Sequence, residues 1–272
     1  MRSNKIIDDF GLEWEKFSNF NSDDKKLKKI FNDYFKIFPK RFLKKSKTGF
    51  DLGCGTGRWA LFVAPKVKKL YCIEPSNAIR VAKKNLLGNN NCEFKKQDVF
   101  SMDIKNNSMD FGYCLGVLHH ITQTEKGIAQ CVKKLKKGSP ILLYLYYNFE
   151  NRSAWFKLLW NLSNVLRFII SKLPFGLKSF FSDILAFLIY FPISRISLIF
   201  DKFGVDTNKF PLSYYKDKKM YILRNDSLDR FGTTLEKRFS KKQILKMMKN
   251  SGLKNVKFSD TAPFWCAIGF KK

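Results

Sequence analysis

Between residues 48 and 148 the chain alternates two patterns: short apolar runs, and stretches with apolar positions at helical spacing. The stretches read as strands are Phe50–Leu52, Leu70–Ile73, the more polar Cys92–Val99, Met109–Leu115 and Ile141–Tyr147. Each is too short for a helix, and the last is apolar throughout, as in strands covered on both faces. The intervening stretches predict helices from Trp59, over about 77–87, and over 122–136. The third ends in Lys133, Lys134, Lys136, Lys137 and Gly138, the charge and glycine that stop a helix. Strands alternating with helices predict a parallel sheet. Upstream, Leu27, Ile30, Phe31, Tyr34, Phe35 and Phe38 recur at helical spacing until Pro39, so residues 1–46 read as a helical lid. Downstream, Ser240 opens a helix carrying Ile244, Leu245, Met247 and Met248, which Gly252 ends. Two strands, Val256–Phe258 and Trp265–Phe270, follow as an antiparallel pair.

Residues 150–238 break the alternation. Trp155 to Ile170 is an apolar surface interrupted by Lys157 and Arg167, and Ile184 to Phe200 is a second such run. Pro192 and Arg195 interrupt the second run, which argues against a membrane-spanning helix. The segment reads as a mostly helical cap inserted into a core of 47–149 and 239–272. An amphipathic surface that meets lipid or admits an apolar substrate is compatible with that reading.

Composition sharpens the picture in one respect. A net charge of +28 invites nucleic acid or an anionic membrane as partner. Lysine supplies most of it and is spread over the whole chain, as biased codon usage alone would produce, and no added RNA-binding module is visible. Nucleic acid is therefore the less favoured partner, and a peripheral contact with an anionic membrane stays open. The six cysteines show no C-x-x-C spacing, so they read as reduced thiols with no metal site. An N-terminus without an apolar run predicts no signal peptide, and with the cysteines this predicts a cytoplasmic protein.

The chemistry gathers at the ends of the predicted strands. Between Leu52 and Trp59 stand Gly53, Gly55 and Gly57, a turn that tolerates positive φ and admits a ligand close to the backbone. Glu74 ends the second strand, 21 residues beyond Gly53, where an acid can accept hydrogen bonds from ribose hydroxyls. Asp98 ends the third. The only two histidines, His119 and His120, follow the fourth, and Tyr146, Tyr147 and Asn148 end the fifth. An imidazole there could deprotonate a substrate hydroxyl, or simply pack. Tyr146 and Tyr147 could line a substrate pocket, Trp14 could meet ligand or pack, and Arg230 could meet a substrate anion or pair with Asp229.

Asp51-x-Gly53-x-Gly55-x-Gly57 with Thr56 and Arg58, together with Leu115-Gly116-Val117-Leu118-His119-His120-Ile121, resembles the class I S-adenosylmethionine-dependent methyltransferases of the UbiE-like, "type 11" kind. The resemblance implies an α/β, Rossmann-like, seven-stranded, mostly parallel sheet in the order 3-2-1-4-5-7-6, with helices on both faces and here a helical cap insertion. It implies S-adenosylmethionine as methyl donor and no metal. It places Asp51 at the donor's amino acid end beside the turn amides, Asp98 and Val99 at the adenine, and Cys54, Pro75 and Leu115 around the cofactor. The reaction implied is an in-line SN2 transfer to a small, partly apolar or lipid-linked metabolite. An RNA methyltransferase or a non-catalytic cofactor-binding protein are the alternatives. Neither the acceptor nor the atom methylated is legible.

Overall fold

The computed structural model describes residues 2–18, 25–207 and 210–272. It divides into two compact units, one of residues 1–148 and 235–272, the other of 149–234.

The first unit is built on one seven-stranded sheet. Its strands are β1 (Thr48–Leu52), β2 (Lys69–Ile73), β3 (Cys92–Lys95), β4 (Phe111–Leu115), β5 (Pro140–Tyr144), β6 (Leu253–Phe258) and β7 (Cys266–Lys271). Their order is β3-β2-β1-β4-β5-β7-β6, as the resemblance implied. Strands β1 to β5 pair in parallel, and β7 is antiparallel to both β5 and β6. Strand alternation sorts the core into two layers. Phe50, Leu52, Ile73, Ile141 and Leu143 face α5 (Thr124–Lys134) and α10 (Lys241–Asn250). Leu70, Cys72, Phe111, Tyr113 and Leu142 face α2 (Lys25–Phe35), α3 (Ala60–Val63) and α4 (Ala78–Asn85).

Glycine pairing keeps β1 and β4 in register. Gly49 lies opposite Phe111 and Phe50 opposite Gly112. A Cβ on Gly49 would sit 2.3 Å from the Phe111 ring, and one on Gly112 would sit 2.3 Å from the Phe50 ring. Each phenylalanine thus fills the space that the opposing glycine leaves.

Four expectations are corrected. The segment 1–46 is not a lid throughout: α2 is a core helix, its Phe35 meeting Tyr113 edge-on at 5.3 Å, whereas α1 (Arg2–Lys16) approaches the glycine turn. β3 stops at Lys95, so Asp98 stands in the loop beyond the strand. The helix expected from 122 begins at Thr124, whose hydroxyl donates to Leu118 O at 2.9 Å. Ser240 does open α10, through reciprocal bonds with Gln243 that form a capping box. The fourth correction concerns Pro192.

That proline lies in the second unit, whose helices are α6 (Ala154–Ile170), α7 (Phe175–Leu185), α8 (Phe191–Lys202) and α9 (Met220–Gly232). Ala186–Tyr190 forms a π-helical turn that joins α7 to α8, with Pro192 at the start of α8. A proline has no N–H to give the preceding turn and crowds the carbonyl four residues back. A wider turn there accommodates both defects. The helix is therefore unbroken from Phe175 to Lys202, and by length and composition it could cross a membrane.

Candidate functional site

The glycine turn closes on itself and on the tip of β2. Gly53 N–H and Cys54 N–H both donate to Ile73 O, at 2.7 and 3.1 Å, and Gly57 N–H donates to Cys54 O at 2.8 Å. Gly53, Gly55 and Gly57 have φ of +71°, +52° and +80°, which L side chains rarely adopt. Gly55 N–H donates to Glu74 Oε2 at 3.1 Å. Thr56 is buried, and its N–H has no acceptor among the described residues. Its carbonyl accepts from Asn85 Nδ2 at 3.0 Å, which fixes the turn to α4.

Glu74 is buried at the tip of β2. Its Oε1 accepts from Ser76 N–H at 3.0 Å and Ser76 Oγ at 2.6 Å. Burial raises its pKa, and the bonds from Ser76 and Gly55 oppose the rise. A carboxylate offers about four acceptor sites. One therefore stays open at Oε2, and accepting from two hydroxyls at once requires Ser76 Oγ to turn away.

Asp51 is buried and its pKa is pushed up to about 8, chiefly by burial and further by the Glu74 charge. The Tyr113 hydroxyl beside it offsets part of that rise. Neither Asp51 Oδ2 nor Tyr113 Oη has a partner in hydrogen-bond geometry among the described residues. Unpaired buried polar groups are rare, and a polar ligand would satisfy these. α1 lies over the same turn. A Cβ on Gly11 would meet Ser76 Cβ at 3.3 Å, and one on Gly55 would meet the Trp14 indole at 3.4 Å. The Arg58 guanidinium lies 4.4 Å from the Trp59 ring and 5.3 Å from that of Trp14. Trp14 is therefore part of the site's wall.

Of the remaining cofactor residues, Cys54 and Leu115 are buried in the layer beneath the turn, and Pro75 stands between Glu74 and Ser76. Asp98 Oδ1 accepts from Phe100 N–H, Ser101 N–H and Ser101 Oγ at 2.8, 2.8 and 2.9 Å, which leaves Oδ2 for a ligand. Val99 turns its side chain into the core.

After β4, Leu118–His120 forms one short 3-10 turn. His119 is fully buried, its ring stacked on Tyr146 with centroids 3.7 Å apart and 4.0 Å from the His120 ring. Neither of its nitrogens has a partner among the described residues. Burial, then the neighbouring His120 and Arg238, hold its pKa well below the usual imidazole value, so the ring is neutral. His120 Nδ1 lies 2.9 Å from Leu235 O; a carbonyl only accepts, so Nδ1 carries the proton. Phe10 of α1 covers His120 at 4.9 Å, and the Arg238 guanidinium lies 5.0 Å from the Tyr146 ring.

Two expected residues lie elsewhere. Tyr147 points to the opposite face, against Phe264 and Trp265, because successive side chains of extended backbone alternate. Arg230 belongs to the second unit, where it donates to Asn164 Oδ1 at 2.7 Å and Ser163 Oγ at 3.1 Å. Sequence reasoning missed Tyr113 and Phe10, and it read Ser76 as a helix cap without its bonds to Glu74. Of the three only Ser76, two residues beyond Glu74, carried a local signal.

The strand order, the glycine turn after β1 and the buried acid at the tip of β2 together define the class I S-adenosylmethionine-dependent methyltransferase fold. Residues 50–143 match a family model described as a methyltransferase domain, and the cofactor of that class is S-adenosylmethionine. The chain is similar to Probable tRNA methyltransferase 9B of Mus musculus, with 26% identity over 113 residues, 39% of this chain and 24% of that protein. It is also similar to an uncharacterized RNA methyltransferase of Clostridium tetani, with 48% identity over 58 residues, 20% of this chain and 13% of that protein. The matches thus span a quarter or less of those relatives. Among solved structures, a chain from the complex of the Haloferax volcanii Trm112 methyltransferase activator with a methyltransferase shares the fold. Its TM-score is 0.52 at 10% identity, covering 96% of each chain. A Bordetella parapertussis protein does so with a TM-score of 0.53 at 12% identity, covering 89% of this chain and 67% of that one.

Proposed function

We propose that this chain transfers a methyl group from S-adenosylmethionine to a small, partly apolar or lipid-linked acceptor. One observation carries the donor half: a glycine turn tied to Glu74, beside a buried Asp51 oxygen with no partner. These residues fit the cofactor. Asp51 and Thr56 N–H would hold the amino acid end, Glu74 Oε2 the ribose, and Asp98 Oδ2 the adenine side. When bound, S-adenosylmethionine supplies an electrophilic methyl on a positively charged sulfonium. For a hydroxyl acceptor, His119 takes the proton at an unpartnered ring nitrogen, while the stacked Tyr146 fixes the ring plane. Alignment of acceptor and methyl supplies most of the rate. The aromatic surroundings of His119 support a partly apolar acceptor. Calorimetry with S-adenosylmethionine, S-adenosylhomocysteine and NAD tests the donor half: binding of the first two and not the third is expected, and the reverse overturns it.

A second reading, an RNA acceptor, is favoured by the names of the two curated relatives and by the +28 charge. Label transfer to total RNA, with affinity falling steeply as salt rises, would establish it. A metabolite extract that accepts label while RNA does not would exclude it.

A further inference from the structure

The second unit is built with its polarity reversed. Among the described residues 24 large apolar side chains are exposed, and 21 of them lie between Trp155 and Tyr214. The outward positions of α6 include Leu158, Leu162 and Phe168, exposed by 62%, 60% and 61%. Those of the helix from Phe175 to Lys202 include Phe180, Leu188 and Ile199. The inward positions of that same helix are Ser179, Ser182, Ala186, Ser194 and Ser197, all buried.

The charged residues follow the same rule. Arg167 turns in to donate to Thr233 O at 2.9 Å, and Lys178 is 1% exposed. Both carboxylate oxygens of Asp183 accept from Arg224, from Nε at 2.9 Å and from Nη2 at 2.8 Å. Arg195 donates to Lys216 O at 2.5 Å and to Lys218 O at 2.8 Å. Ser227 Oγ donates to Ser182 O at 2.7 Å, so α9 bonds the serine-lined face of the long helix, beside a small apolar cluster of Ile170, Tyr190, Leu223 and Phe231. In water, burying charges and small polar groups while exposing leucine and phenylalanine reverses the free-energy order on both counts. In hydrocarbon the same arrangement is the favourable one: small and polar residues pack helix against helix, and apolar side chains face lipid.

We propose that the second unit seats the outward faces of α6 and of the continuous helix α7–α8 in the apolar layer of a lipid bilayer. A protein partner is the weaker occupant, because no charged side chain between Leu158 and Phe200 points outward except Lys172, in the turn between the helices. The cations sit where headgroups would meet them: Lys172 just after α6 and Lys202 at the end of α8 are both exposed. The segment 149–234 carries 13 basic and 7 acidic residues, and the whole chain +28, which suits an anionic membrane. The inference does not depend on methyl transfer.

Flotation of the full chain with preformed vesicles tests it, using phosphatidylcholine mixed with phosphatidylglycerol. The protein is expected to float, and to stay bound in about 1 M salt, where the Debye length is about 3 Å. A variant carrying Leu158→Glu, Leu162→Glu and Leu188→Glu should float about tenfold less or worse. All three side chains are exposed, so its helix content by circular dichroism and its cofactor binding should match the wild type. Release by salt would assign the contact to the lysines and overturn insertion. Undiminished flotation of the variant would overturn the surface chosen. A concentration-dependent dimer that does not float would give the surface to a second copy and overturn the proposal.

Discussion

Asp51 is the residue whose chemistry depends most on what binds beside it. An ordinary Asp titrates near 3.8; here burial raises the value to about 8. Below the lower value the folded and unfolded chains both hold the proton. Between the two values only the folded chain does, and above the higher one the folded chain carries a buried charge. The ligand-free protein should therefore lose stability as pH rises from about 4 to about 8. Thermal unfolding of wild type and Asp51→Asn over that range checks this: the variant's melting temperature should depend less on pH, and equal slopes would refute the assignment. A cationic ligand group beside Asp51 favours its ionised form, so cofactor binding near neutral pH should release a proton, which calorimetry in buffers of different ionisation enthalpy reads directly. Glu74→Ala should weaken binding by roughly 1–3 kcal/mol, since it removes acceptors for charge-assisted bonds. Wild-type affinity in a folded variant would remove Glu74 from the site. For His119 the sign differs. Its lowered pKa keeps it unprotonated, so if it acts as base the acid limb of turnover should lie below the usual imidazole value.

At the scale of elements, β1 and β4 show how a sequence pattern becomes a contact. Gly49–Phe50 and Phe111–Gly112 are complementary pairs, large opposite small on both faces. Gly112→Ala places a methyl 2.3 Å from the Phe50 ring in a core without slack, and should cost about 1–3 kcal/mol by denaturant unfolding. No measurable loss would mean that the ring has room to shift. The glycine turn, the acid at the tip of β2 and the Ser240 cap were legible because each has a local chemical signature, whereas the strand order came only with the resemblance. The end of β3 was not: Lys95-Lys96-Gln97-Asp98 carries no breaker, and the loop begins where Asp98 bonds its own turn rather than a neighbouring strand. Pro192 misled because its usual effect is to end a helix, and a π-helical turn absorbs it here. The reversed polarity of α6 and α7–α8 was illegible for a deeper reason. Helical periodicity locates an apolar face but does not say whether that face meets a core, a substrate or a lipid.

At the scale of the whole molecule, the second unit is an insertion whose entry and exit run side by side. Phe239 N–H donates to Tyr146 O at 2.8 Å, and Asn148 N–H donates to Phe239 O at 3.1 Å, so the chain leaving β5 is zipped to the chain returning toward α10. Lys237 N–H adds a bond to His119 O at 3.0 Å, and its ammonium bonds Thr122 O. The junction is thus held by backbone bonds that belong entirely to the first unit. Leu235 is four residues from Phe239 and can lie no more than about 14 Å from it along the chain. Replacing 149–234 with a flexible linker of about eight Gly and Ser residues should therefore leave the sheet folded. The shortened chain is expected to bind S-adenosylhomocysteine with near wild-type affinity, since Asp51, Glu74, Asp98 and Trp14 all remain, and to lose salt-resistant flotation. Retained flotation would move the membrane contact to the first unit. A shortened chain that unfolds cooperatively, with the helix content expected of the first unit alone, yet no longer binds cofactor would show that the second unit helps to build the donor site.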